Sequence, residues 1–215
     1  MAIHVNVKST STAATRFRET ISFFMPNPVL CLPREITNLL DTDLPSLGPG
    51  TPKTVFERQL EKTSPEALLG TAIVSSEAAD CCLAGMWLWN GFLERSHDLS
   101  QNIDTPEGSW WHGIMHRREP DPGNAAYWFR RVEDHPLFST LGDRVQKHAM
   151  QIELPDEVQW LAHCTYWKPQ QFIEACESAR HHSNEAVCHV LRQVAAIEWH
   201  ALFEHCQNLA RGNHT

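Results

Sequence analysis

The chain has 215 residues, 42% of them hydrophobic and 20% charged, with Lys+Arg at 18 against Asp+Glu at 26 for a net charge of −8. That composition belongs to a globular protein and excludes wholesale disorder. No stretch approaches ~18 uninterrupted apolar residues, so no membrane span is expected, and an acidic chain without a basic stripe is a poor ligand for nucleic-acid phosphates. A small molecule is the expected partner.

From the N-terminus, residues 1–18 carry Lys8, Arg16 and Arg18 but no acid. This faintly resembles a transit peptide, yet a loosely ordered arm is the preferred reading. No secretory signal is expected, since Pro26 and Pro28 interrupt the apolar run from Ile21 and no small-residue cleavage site follows. Residues 26–53, rich in Pro and Gly, read as an irregular connector with one helical turn near Arg34–Leu40. The expected domain layout is an arm and connector over 1–53 and a single helical domain over 54–215.

Helical punctuation follows. Ser64-Pro65-Glu66, Thr105-Pro106-Glu107 and Asp121-Pro122 each place a capping side chain before a proline at the first helical position. Ser76-Glu77 opens an apolar stretch running to Leu93 or His97. Further helices are expected over Pro106–Arg118, from Pro122 to just before His135, over Pro136–Ala149 and over Pro169–Arg180. The last and longest begins at Ser183-Asn184-Glu185 and ends before Gly212. Alternating strand patterns with hairpin turns are absent. The predicted fold is all-α, a bundle of six or seven helices.

Seven cysteines occur, with Cys81 and Cys82 adjacent and no C-x-x-C. They read as buried thiols in a reducing cytoplasm rather than as a zinc ribbon or a disulfide framework.

The segment 83–136 concentrates the chemistry. It contains Trp87, Trp89, Trp110, Trp111 and Trp128 together with four of the 13 histidines. SHDLSQ, EGSWWHGIMHRREPD and NAAYWFRRVEDHP in this segment resemble a family of uncharacterised bacterial and fungal proteins with the pattern (Y/W)WHGIMHRREPD…NAxYWFRRVGxHP. The similarity is strong over residues 83–136 and loose elsewhere, and it implies no established activity. Glu133 stands where the family pattern has glycine, which bears on the turn before His135.

His112 and His116, four apart on one helix, project from one face and can share an ion, with Glu119 on the same side. Trp110, Trp111, Ile114 and Met115 form the opposite, core-seeking stripe, and Gly108 and Gly113 leave room for a close approach beside the histidines. A zincin requires Glu directly after the first His, and Gly113 occupies that place. His97 ends the preceding helical stretch, and the short turn after Asn102 brings it back towards His112. In the last helix Val187, Leu191, Val194, Glu198, Leu202, His205 and Leu209 form one stripe, so Glu198 and His205 occupy core positions.

Two functions remain open from these residues. One is a small-molecule enzyme with a mononuclear divalent metal (Zn, Fe or Mn) held by His97, His112, His116 and His205. Glu198 and Glu119 would move protons, and Arg117, Arg118, Arg130, Arg131 and Trp111 would bind a substrate with an acidic group, for hydrolase, lyase or oxygenase chemistry. A di-iron centre uses two Glu-x-x-His repeats and the sequence has one, Glu94 to His97, so a di-iron centre is disfavoured. The other is a metal-free ligand-binding or interaction module whose His and Arg residues are structural, with Glu198 paired to an arginine.

Overall fold

The computed structural model describes residues 32–40, 44–182 and 184–213. The expectations for residues 1–18, for Cys31 and for the start of the Pro-rich connector lie outside them. The described residues contain ten α-helices and one 3₁₀ helix and no strand, so the protein is an all-α bundle. No described helix is long and apolar enough to cross a membrane. The six described cysteines are unpaired, and all but Cys188 are buried.

The short helices α1 (Arg34–Thr37), α2 (Thr54–Glu61) and α3 (Pro65–Leu69) precede α4 (Ser76–Trp89), α5 (Leu93–Ser100), α6 (Pro106–Arg118), α7 (Pro122–Val132) and α8 (Leu137–Ala149). The 3₁₀ helix (Asp156–His163) leads to α9 (Pro169–His182) and α10 (Glu185–Ala210). The capping chemistry expected from the sequence is in place. Ser64, Thr105 and Asp121 accept from the amides of Ala67, Gly108 and Asn124 at 3.2, 3.1 and 3.0 Å, each followed by proline. Asn184 accepts from Ala186 and Val187 at the start of α10.

One expected helix is two. The stretch from Ser76 breaks after Trp89, because Gly91 takes φ +82° and a Cβ there would meet the Thr51 carbonyl at 3.1 Å. The amide of Lys53 donates to the Asn90 carbonyl at 2.9 Å. The helix gives way so that the upstream segment can pass, and His97 is carried on its own element, α5.

The core is aromatic. Trp110, Trp111, Trp167, Phe172 and Phe203 are among the largest fully buried side chains. Glycines let the helices approach closely: a Cβ on Gly85 of α4 would strike Trp111, and one on Gly113 of α6 would strike Phe129 of α7, each at 2.8 Å. The space expected beside Gly113 is therefore filled by the protein itself. Trp199 of α10 stacks on Phe203 at 4.7 Å and donates its indole N–H to the Gly85 carbonyl at 2.8 Å, tying α10 to α4.

The segment 44–53 is not a detached connector. The described residues all fall within one compact unit. Ile36, Leu39, Leu44 and Leu47 are buried. Arg192 donates to the carbonyls of Pro45 and Leu44 at 3.1 and 2.7 Å, Arg180 to that of Leu47 at 3.0 Å, and Arg118 to those of Gly48 and Pro49 at 3.3 and 3.2 Å. Three guanidinium groups thus lace a strap across the bundle.

Candidate metal centre

The reversal between α5 and α6 runs through Gln101–Asp104, and the Thr105 cap fixes the start of α6. His97 from α5 thereby meets His112 and His116 from α6. Ring centroids lie 4.7 Å apart for His97–His112, 5.7 Å for His97–His116 and 4.8 Å for His112–His116. One ligand nitrogen from each ring lies within 4.8 Å of the other two. His112 and His116 are only 2% and 8% exposed, whereas His97 and Glu119 reach solvent, so the group opens on one side. Trp128 of α7 covers His112 with ring centroids 4.0 Å apart.

One hydrogen bond of the group has a direction set by its acceptor. The Glu119 carboxylate can only accept, so His116 donates from Nδ1 to Oε2 at 3.0 Å. The Ser100 hydroxyl lies 3.1 Å from Nδ1 of His112, and which of the two donates follows the tautomer of the imidazole. Nε2 of His112 and Nε2 of His116 face each other at 3.0 Å. That separation suits either an N–H of one ring donated to the other or a cation shared between them. Burial, then the neighbouring charges of His116 and His97, hold His112 down to about 3, which disfavours its imidazolium form. An outer N–H donated to a carboxylate, as from His116 to Glu119, is the outer-shell arrangement of metal-ligating histidines.

A second group has the opposite character. Glu107 near the start of α6, His135 between α7 and α8, and His205 of α10 also bring three ligand atoms together. Here Nδ1 of His135 accepts the Leu137 amide at 3.1 Å, so its proton sits on Nε2 and is donated to Oε1 of Glu107 at 3.1 Å. Nε2 of His205 meets the same oxygen at 3.1 Å. Burial would raise the Glu107 carboxyl, but the hydrogen bonds from His135 and His205 outweigh it and hold the group well below the usual carboxylate range. Every facing lone pair already has a proton, so nothing here calls for an ion.

His205 therefore does not join the other three histidines. Its place on the buried stripe of α10 is as expected, but the stripe brings it to Glu107. Glu198 is also removed from the site. It is fully buried, with Oε1 accepting from Trp110 at 3.1 Å and from Arg117 at 3.3 Å, and Oε2 taken by the other Arg117 nitrogen. A carboxylate so enclosed has no path to a substrate proton.

The expected substrate arginines divide. Arg117 is consumed by Glu198 and lies against the Phe172 ring at 4.5 Å. Arg118 is buried and bonded to backbone carbonyls. Trp111 is enclosed in the core. Arg130 and Arg131 are exposed on α7; Arg131 pairs with Asp104 at 2.8 Å and lies over Trp128 at 5.3 Å. Ser100 and Trp128, which orient and cover His112, were not singled out from the sequence, and neither Glu107 nor His135 was separated from ordinary helix-end residues. Comparison with protein-family models, curated proteins and solved structures gives no match.

Proposed function

We propose that the protein is a metal-dependent small-molecule enzyme of the cytoplasm, with one divalent ion held by His97, His112 and His116. The observation that carries this reading is the convergence of three imidazoles, with Nε2 of His112 and Nε2 of His116 3.0 Å apart. Metal–nitrogen bonds of ~2.0–2.1 Å put tetrahedral ligand nitrogens about 3.3 Å apart. Because Glu119 engages the outer nitrogen of His116, the donor set is three imidazoles, which favours Zn²⁺ over Fe²⁺ or Mn²⁺. Such an ion supplies Lewis acidity, polarising a substrate oxygen or lowering the pKa of a water, for hydrolytic or lyase chemistry.

The remaining work falls to the chain. Glu119, half exposed and hydrogen-bonded to His116, orients that ligand and accepts a proton at the solvent side of the group. Arg130 and Arg131, on the helix that carries Trp128, meet the acidic group of the substrate. Unpaired thiols throughout the described chain fit a reducing compartment.

Elemental analysis of the purified full chain tests the reading. About one equivalent of metal is expected, lost in His112→Ala and His116→Ala and kept in His205→Ala. A protein that purifies without metal and gains no thermal stability from added Zn²⁺ overturns it in favour of a metal-free binding module.

A further inference from the structure

Arg117 and Arg118 are adjacent and equally buried, and the fold treats them differently. Arg117 is given the carboxylate of Glu198. Arg118 is 5% exposed and has no acidic partner among the described residues, only the carbonyls of Leu88, Gly48 and Pro49. Carbonyl oxygens orient a guanidinium but do not neutralise it, and an uncompensated buried charge is costly. Burial, followed by the charge of Arg117, lowers Arg118 to about 10.

Arg118 lines a cleft of about 400 Å³ between the strap and the bundle, a volume in the range of small-ligand sites. Arg180, Arg192 and Lys53 line it too, and no Asp or Glu does among the described residues. In a chain of net charge −8 that is a local reversal of sign. Arg180 is balanced by Glu177, whereas Arg192, like Arg118, is bonded only to carbonyls and its Nη1 reaches no described acceptor. The Ser46 hydroxyl accepts from the Gly48 amide and keeps its own proton for a ligand. Trp89, also in the wall, keeps its indole N–H, a donor, buried without a partner among the described residues.

We propose that this cleft binds a small organic anion, a carboxylate or phosphate gripped by Arg118 and Arg192 across the strap. Its wall includes none of His97, His112 and His116, so it is a second site and does not depend on the metal reading. Planar guanidinium forks suit either oxyanion. The anion supplies for Arg118 the charge that Glu198 supplies for Arg117.

The test is calorimetric titration and thermal melting of the full chain with inorganic phosphate and, separately, malonate, with chloride at equal ionic strength as reference. A saturable rise in melting temperature of several degrees with either probe supports the site, and which probe acts tells phosphate from carboxylate. Arg192→Gln, with an unchanged helical spectrum, is expected to weaken binding at least tenfold. If that variant does not fold, Lys53→Gln is expected to weaken binding severalfold. Absence of a saturable response beyond chloride, or full affinity in the folded variant, overturns the proposal.

Discussion

Glu198 occupies a position on α10 where leucine or valine would continue the stripe, and the fold answers with a guanidinium and an indole N–H. Removing one member of such a pair leaves the other charged and enclosed. Glu198→Leu, which strands Arg117, is therefore expected to cost ~3–5 kcal/mol. Glu198→Gln keeps part of the hydrogen bonding and is expected to cost ~1–3 kcal/mol. Denaturant unfolding measures both, and Arg117→Met added to Glu198→Leu is expected to recover most of the loss, since a packed apolar pair replaces a buried ionic one. Bound metal should be unchanged in the Gln variant, because Glu198 touches no histidine of the site; its loss would return Glu198 to the chemistry. The buried face of this residue was legible in the sequence because helical phase alone determines it. Which partner meets it was not, because Arg117 lies 81 positions away on another helix.

At the scale of elements, α7 ends in strain. Glu133 caps it with φ +55° and ψ −142°, a backbone region that suits glycine and penalises a Cβ. Glu133 is exposed and forms none of the ion pairs among described residues, so little is lost with its side chain. Glu133→Gly is expected to stabilise the protein by ~1–2 kcal/mol, a rise in melting temperature of about 2–8 °C for a chain of this size. A scanning melt decides it, and an unchanged or lower temperature would show the backbone relaxed with Glu in place. Helix starts were legible because Ser64, Thr105 and Asp121 act within three residues of the amides they cap. The break at Asn90-Gly91 was not, because its cause is Thr51 and Pro52, some forty positions upstream. His112 and His116 could be paired by spacing alone and His97 by the short reversal. His205 was misassigned because helical phase says that a side chain is buried without saying against what.

Across the whole molecule, buried neutral histidines make folding sensitive to acid. His200 lies edge-on to Trp199 and Trp89 at 5.0 and 5.4 Å, and burial, with Arg144 nearby, lowers it from 6.5 to about 4. Between those values the unfolded chain binds a proton that the folded one does not, so stability falls as pH drops from about 6.5 to 4. Glu107, depressed below its ordinary 4.5, contributes stability that is present above that value and lost further down. Melting temperature should decline from near neutrality into the acid range, and His200→Gln should flatten the part between pH 6.5 and 4; an identical slope in that variant would assign the loss to other groups. The arginine lacing carries a consequence for synthesis. The carbonyl of Leu44 is held by a guanidinium 148 positions later. A ribosome adding ~5–20 residues per second makes the nascent strap wait on the order of ten seconds for that donor. During the interval Leu39, Leu44 and Leu47 have nothing complete to dock against, which makes this segment the natural handhold for a chaperone until the final helix emerges.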